Sequence, residues 1–517
     1  MEENKKKENI EKKKTSDIKS LFTIENLLCF FIIICPILDV ASFLFRNYFK
    51  TNISISTFIR PIIPIIGICY IFFKDKLKPQ LFIACACYAV YAICHLYIFY
   101  KQRAGCAYGT IIQEIQYLTN YTFMIMNLFI YTYIFAHKNR EKELKEKNPK
   151  KTINKLKMSV LISLTIYIAL MYISLITGTS SYTYNEVQIG YKGWFESGNS
   201  IGTIMLLEIF IVLPNLSKNN RTEIRIWTFM LIVLAGAYLC TLLGTRTGLF
   251  GFIIVILSYC VIGIINSLIK NNRINKKALP AFLITLVVIG VAVIGFGSKT
   301  IERRKDLQDR ESQILDTMTG KTAHVTGDIV EIVRKIKNNE IDESYMPDSM
   351  QQTYLNLYDI ANKKQISNTN MRALQFIYHS ELIKNQNSIP MLLFGNGYIL
   401  HFYEMIFEME VPAFLYNFGV IGFFLYFMPF LMIAIYGTYI MVKKIKNINI
   451  EFSMSVLGLW FAIFISFLSG YTFFNSSSMM IIIVLATYIA SGCKDFDDDE
   501  MKIYNGKVKE WKKLFLE

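Results

Sequence analysis

The sequence predicts an all-α polytopic membrane protein with about twelve transmembrane helices and one large extracytoplasmic loop between helices nine and ten. Three observations carry that expectation. Of 517 residues, 53% are hydrophobic and only 18% charged, and the mean hydropathy is +0.35. The apolar residues gather into runs of about 20, the length that crosses a bilayer core. The basic residues, which bring the net charge to +15, gather in the short loops between the runs, as the positive-inside bias requires. Together these exclude a water-soluble enzyme, a nucleic-acid binder and a fibrous chain.

The candidate spans, in order, are Leu27–Phe45, Ile53–Phe73, Leu81–Tyr100, Tyr117–Phe135, Val160–Thr177, Ile201–Leu213, Ile226–Leu243, Leu249–Ile269, Ala281–Phe296, Val411–Val442, Val456–Leu468 and Met479–Ala490. Before the first stand Lys5, Lys6, Lys7, Lys12, Lys13 and Lys14. With that basic tail in the cytoplasm, the loops falling inside hold Lys74, Lys76 and Lys78, the stretch from Lys138 to Lys157, Lys218 with Arg221 and Arg225, Lys270 with Arg273, and Lys443 with Lys444. The short loops falling outside hold chiefly Lys101, Arg103, Lys192 and Arg246. Helix count and orientation therefore support each other. The first run is read as a retained helix, because no small-residue cleavage site follows it. The division expected is a cytoplasmic tail at 1–26, nine helices over 27–296, the large loop at 297–410, three helices over 411–492 and a second cytoplasmic tail at 493–517. The location is the cell membrane.

Ten cysteines in a chain of this length, nearly all inside apolar runs, behave as small hydrophobes and form no disulfide framework. No solenoid repeat is visible, nor a matched pair of broken helices of the inverted-repeat transporter kind. From Ser298 to Glu410 no membrane-length apolar stretch occurs. This segment has helix-like pieces at Asp328–Lys337 and Met371–Lys384 and a turn at Gly395-Asn396-Gly397, and a loop of that length is the expected seat of specific function.

Ionisable groups in or beside a membrane are the first functional candidates. Arg246 lies in Gly244-Thr245-Arg246-Thr247-Gly248, between two apolar runs. Such an arginine either snorkels to lipid headgroups or clamps an anion, since glycines admit a phosphate and guanidinium binds it bidentately. Arg372 opens an amphipathic stretch. Glu408 and Glu410, just before an apolar run, cannot share a helical face, so at most one faces inward as a general base. Arg60 and Asp39, in the first two spans, suit a structural ion pair, and Glu208 is a further buried polar group. Cys85, Cys87, Cys94 and His95 look metal-like on paper, but Cys-x-Cys on a helix splays its thiols. His324, His379 and His401 lack ligand spacing. No Walker loop, dinucleotide fingerprint or serine elbow occurs.

These segments resemble, in order and spacing, the O-antigen ligase and polymerase superfamily. Gly193-Trp194-Phe195-Glu196-Ser197-Gly198-Asn199 is similar to its glycine-aromatic segment ending in asparagine before a helix. Thr245-Arg246-Thr247-Gly248 is similar to its arginine turn. Arg372, ahead of Gly395-Asn396-Gly397-Tyr398, resembles its second arginine. Glu408-Met409-Glu410, with Gly419-Val420-Ile421-Gly422 beyond, resembles the entry to the next helix. Many ligases have a histidine where this chain has Glu408, and a carboxylate there resembles the branch found in Gram-positive polysaccharide clusters.

The resemblance implies a membrane glycosyltransferase, polymerase or ligase, acting on an undecaprenyl-pyrophosphate-linked oligosaccharide donor and a glycan or other surface-molecule acceptor. Arg246 and Arg372 would neutralise the departing pyrophosphate, and Glu408, with Glu410 behind it, would take the acceptor's proton. Asn199, Arg60 and Asn396 would contact substrate. No metal and no cofactor is expected, and the partners are the donor, the acceptor and membrane lipids, with no nucleic acid. The alternatives are a lipid-linked oligosaccharide flippase without chemistry and a non-catalytic assembly partner.

Overall fold

The structure is a computed structural model. It describes residues 23–493 apart from 50–54, 75–78, 104–110, 139–150, 219–220, 271–289, 291–298, 307–308, 310–327, 343–345, 367–369, 387, 398–404, 406, 446–448, 469 and 471. Eleven of the twelve expected spans fall on helices among the described residues; Ala281–Phe296 lies outside them but for one position.

The first half is a bundle of α1 (Ile24–Phe49), α2 (Ile55–Lys74), α3 (Pro79–Arg103), α4 (Ile111–Tyr131, continued by a π-helical turn at Thr132–Lys138) and α5 (Lys151–Ile176). A hairpin of β1 (Ser181–Tyr184) and β2 (Ile189–Gly193) leads into α6 (Gly198–Val212). Then come α7 (Thr222–Ala237), α8 (Arg246–Lys270) and a short α9 at 299–306. The inserted segment supplies α10 (Asp328–Lys337), α11 (Asp348–Lys363), α12 (Met371–Gln386) and α13 (Ile389–Phe394). The chain returns to the bundle as α14 (Glu410–Tyr426), α15 (Met428–Lys443), α16 (Ile450–Leu468) and α17 (Ser476–Cys493).

Periodicity explains who sits where. Along α6 the residues are apolar on every side, and all from Ser200 to Val212 are buried, the pattern of a helix at the centre of a bundle. It packs against α5, α8 and α16. By contrast α3 turns Phe82, Ile83, Val90, Ile93 and Tyr97 outward, a surface that only lipid solvates well.

Two separate apolar cores result. The large one joins the membrane helices. A smaller one, built from Ile329, Val333, Leu357, Leu374, Tyr378 and Leu382, belongs to the inserted segment and is capped by Phe99 from the end of α3. The inserted segment is therefore a packed helical unit seated on one end of the bundle.

Three features depart from the sequence expectation. Eight helices among the described residues are long and apolar enough to cross a membrane, or nine if a bent pair counts as one span. The first half of α4, with Gln113, Glu114, Gln116 and Asn120, is too polar to join them. The expected span Val411–Val442 is that bent pair, α14 and α15, which meet at 45°. Finally, the connection between α5 and α6 is a β-hairpin, the only sheet among the described residues, with Tyr182 opposite Tyr191 and Tyr184 opposite Ile189.

Within α14, Gly419 stands at φ 71°, a left-handed backbone that breaks the ladder. The break frees the carbonyls of Tyr416 and Asn417, and the Gly395-Asn396-Gly397 turn fills it. Asn396 N–H donates to Tyr416 O (3.1 Å) and Gly397 N–H to Asn417 O (3.0 Å). A Cβ on Gly395 would lie 2.1 Å from Asn417 O, so only glycine fits. From below, His95 Nδ1 donates to Phe394 O (2.6 Å), and its Nε2 faces Glu114 Oε1 (2.8 Å) with both side chains fully buried. These contacts fix the inserted segment to α3 and α4.

Candidate functional site

The site is assembled on the arginine turn that opens α8. Thr245, fully buried, caps that helix by accepting from Gly248 N–H at 3.1 Å. This leaves Arg246 as the first helical residue, its side chain exposed at a helix N-terminus where the backbone already favours an anion. The preceding Gly244 has φ 80°, and its Cα faces that of Gly190 in the hairpin so closely that a Cβ would meet it at 3.1 Å. Thr183 Oγ1 donates to Leu243 O at 2.7 Å. Hairpin and arginine turn are thus one unit.

The next element is α9. Its buried Thr300 donates to Thr245 O at 3.3 Å, which anchors the short helix to the same turn. One helical turn on, the Arg303 guanidinium lies over the Tyr184 ring, 4.7 Å from its centroid, while also pairing with Asp306. Burial pushes the Tyr184 phenol up from its ordinary value, and Arg303, Arg246 and Arg372, in falling order, pull it back, with Glu408 opposing them. Four charged groups from four separate segments therefore act on one phenol, which stays neutral at physiological pH.

The inserted segment and the start of α14 complete the cluster. Arg372 Nε donates to Glu408 Oε2 at 3.2 Å, and the two side chains are 47% and 55% exposed. Gln375, one turn further along α12, accepts the backbone N–H of Glu408 at 3.1 Å. Gly470 passes so close that a Cβ there would lie 2.7 Å from Glu408 O. Glu408 is thus held by its backbone, while its carboxylate keeps water access and one arginine partner.

Glu410 stands elsewhere. It is fully buried, and its carboxylate accepts the backbone N–H groups of Thr472 (2.7 Å), Phe473 (2.7 Å) and Phe474 (2.9 Å). That carboxylate ties the α16–α17 connection to α14 and is not placed to take a proton from a substrate. The reading of Glu410 as a reserve base is corrected on this ground.

The substrate-contact candidates divide. Asn199, half-buried, lies in the first turn of α6, whose Gly198 and Gly202 pack against Thr183 and Thr245, so it belongs to the arginine-turn unit. Asn396 does not line an open surface. It is fully buried, and its amide nitrogen reaches the carbonyls of Tyr416 (2.8 Å) and Gly397 (3.2 Å), so its role is to plug the broken helix. Arg60 forms the ion pair its position suggested: Nη2 donates to Asp39 Oδ1 (2.5 Å) and Ser477 Oγ (2.7 Å), and Tyr167 hydroxyl donates to the other Asp39 oxygen (2.9 Å). Only Nη2 is used in these contacts; Nε is buried without a hydrogen-bond partner among the described residues.

Glu208 is buried in α6. His379 is buried too and donates to Met405 O at 2.8 Å, stacked on Phe407. His324 and His401 lie outside the described residues. His95 is buried while Cys85 and Cys87 are exposed, so they share no environment.

Sequence reading missed Arg303, Tyr184 and Gln375. Arg303 sits in the run Lys299–Lys305, which reads as a solvated charge cluster. The signal for the hairpin was present in Ser181-Tyr182-Thr183-Tyr184, a strict alternation that favours a strand.

A family model described as O-antigen ligase like membrane protein matches residues 22–493. No curated protein and no solved structure matches.

Proposed function

This chain belongs to the O-antigen ligase-like membrane protein family, and from that premise we propose that it is an extracytoplasmic glycan polymerase or ligase using an undecaprenyl-pyrophosphate-linked donor. The observation that carries this reading is that Arg303 lies over Tyr184, that Arg246 and Arg372 are near enough to act on the same phenol electrostatically, and that Glu408 is in contact with Arg372. A cationic face beside a carboxylate is what transfer from a pyrophosphate-linked sugar needs.

In the reaction, an acceptor hydroxyl oxygen bonds to the anomeric carbon of the donor's first sugar. The bond from that carbon to the pyrophosphate oxygen breaks, and undecaprenyl pyrophosphate leaves with the electron pair. Glu408 takes the hydroxyl proton. Arg246 and Arg303 receive the negative charge developing on the leaving group; interactions of this kind are each worth about 10² to 10³ in rate. Arg372 has a double role. Bound to Glu408 before substrate arrives, it turns to the pyrophosphate once the donor is seated and frees the carboxylate to act as base. A half-exposed ion pair contributes only about 0–1 kcal/mol, so the exchange costs little against a doubly charged phosphate ligand. Glu410 and Asn396 position the segment that holds Glu408 and touch no substrate.

The test is a reconstituted one. Protein in liposomes is given the lipid-linked oligosaccharide from a deletion strain, with Arg246→Ala and Glu408→Gln beside wild type. The expected result is glycan transfer by wild type and loss in both variants at equal folded protein. Transfer unchanged in both variants removes this assignment, and movement of lipid-linked glycan across the bilayer without transfer favours a flippase.

A further inference from the structure

The hairpin has two faces: one seats Thr183 and Gly190 on the arginine turn, and the other carries three half-buried tyrosines beside the buried Ile189, with Tyr191 also packed against the membrane core. Side chains alternate along a strand. Thr183 points back to Leu243 and the glycines Gly190 and Gly198, so Tyr182 and Tyr184 project from the opposite face. Tyr191 is the cross-strand partner of Tyr182 and shares that face; their rings lie 5.5 Å apart at 33°. All three tyrosines are half-buried. Tyr182 and Tyr191 pair their rings, and two residues along the same strand face Tyr184 lies under the Arg303 guanidinium, with Arg246 and Arg372 near enough to act on its phenol.

We propose that the Tyr182–Tyr184–Tyr191 face is a stacking platform for the pyranose directly attached to the donor's pyrophosphate, so that the hairpin reads the sugar while the arginines hold the phosphates. This rests on the reading of the site given above. A pyranose presents a patch of C–H groups on one side of its ring, and the negative face of an aromatic ring attracts those polarised hydrogens. The sugar joined to a pyrophosphate lies within one glycosidic bond of it, so a phosphate held by Arg246 and Arg303 sets its first sugar beside Tyr184. The rings carry no charge to repel the donor. The exposed Asn185 and Gln188 at the hairpin tip offer hydrogen-bonding groups for the sugar's hydroxyl rim. Tyr182 and Tyr191 are therefore specificity residues, touching sugar and not phosphate.

Two probes separate the claims: undecaprenyl pyrophosphate, which has no sugar, and undecaprenyl-pyrophosphate-GlcNAc. Binding of each to the full-length protein in phosphatidylglycerol nanodiscs is measured for wild type, Tyr182→Ala, Tyr191→Ala, Tyr182→Trp and Arg246→Ala. Wild type is expected to hold the GlcNAc probe about fivefold more tightly than the bare one. Each tyrosine-to-alanine variant removes that preference and leaves bare undecaprenyl pyrophosphate within twofold, Tyr182→Trp keeps it, and Arg246→Ala weakens both probes. If the alanine variants keep the preference, or weaken both probes equally, the platform is wrong while the arginine site stands. If the tyrosines are only interfacial anchors, the alanine variants lower thermal stability and leave the probe ratio intact, which also overturns the proposal. Should bare undecaprenyl pyrophosphate bind no better to wild type than to Arg246→Ala, the donor reading falls and the platform with it.

Discussion

Glu408 and Glu410 stand two residues apart at the entrance to α14 and live in opposite environments. Glu410 is fully buried with three backbone N–H groups on its carboxylate; Glu408 is 55% exposed and holds one arginine through a single 3.2 Å contact. The same contrast separates two regions. Inside the bundle and at its junction with the inserted segment, charged groups are buried against specific protein partners, as in Arg60 with Asp39 and His95 with Glu114, and Asn396 plugs the broken helix. On the arginine-turn face, Arg246, Arg372 and Glu408 keep water access, and Arg303, partly buried and paired with Asp306, lies over Tyr184. Buried groups need full satisfaction because an unpaired one costs several kcal/mol. Groups left open at a surface cost little and remain available to a ligand. The first set holds the architecture, and the second is the one proposed to carry the chemistry.

Substitutions should split along that line. Glu408→Gln is expected to give the largest loss of turnover, about 10² to 10⁴, with unfolding temperature unchanged, read by glycan transfer beside a melting curve. Arg246→Ala and Arg372→Ala should each lower turnover by about 10² to 10³, again without loss of stability. Glu410→Ala should do the reverse. It strands buried N–H groups and costs about 3 kcal/mol, seen as a lower unfolding temperature in detergent. A smaller effect, about 1–2 kcal/mol before any clash, is expected for Gly419→Ala, whose backbone is left-handed and whose added carbon would lie 2.4 Å from Gly395 N. A Glu410→Ala protein that melts like wild type but transfers nothing would dissolve the contrast.

The membrane class was readable because it depends on bulk composition and charge placement, which survive without tertiary detail. The inserted segment was readable for the same reason: a long polar stretch stands out between apolar runs, and Asp328–Lys337 was legible as a helix from its periodicity. The arginines at 246 and 372 were readable as motifs. The roles of Glu410 and Asn396 were not, because each depends on partners far along the chain, Thr472 to Phe474 for one and Tyr416 for the other. A bend like that at Gly419 is equally hidden, since Val411–Val442 is apolar throughout and a left-handed glycine leaves no mark on hydropathy. Arg303 was lost among neighbouring charges, and only the fold shows that it alone of that run lies on Tyr184.

The central claim is that the arginine face, and not the buried interior, cleaves the donor. It is tested most directly by following release of undecaprenyl pyrophosphate from lipid-linked oligosaccharide in a single turnover, by wild type and Arg372→Ala matched for folded protein. The expected result is release by wild type and a rate at least about 100-fold lower in the variant, with identical melting curves. Equal rates in the two proteins, or no release by wild type in the presence of acceptor, would contradict it.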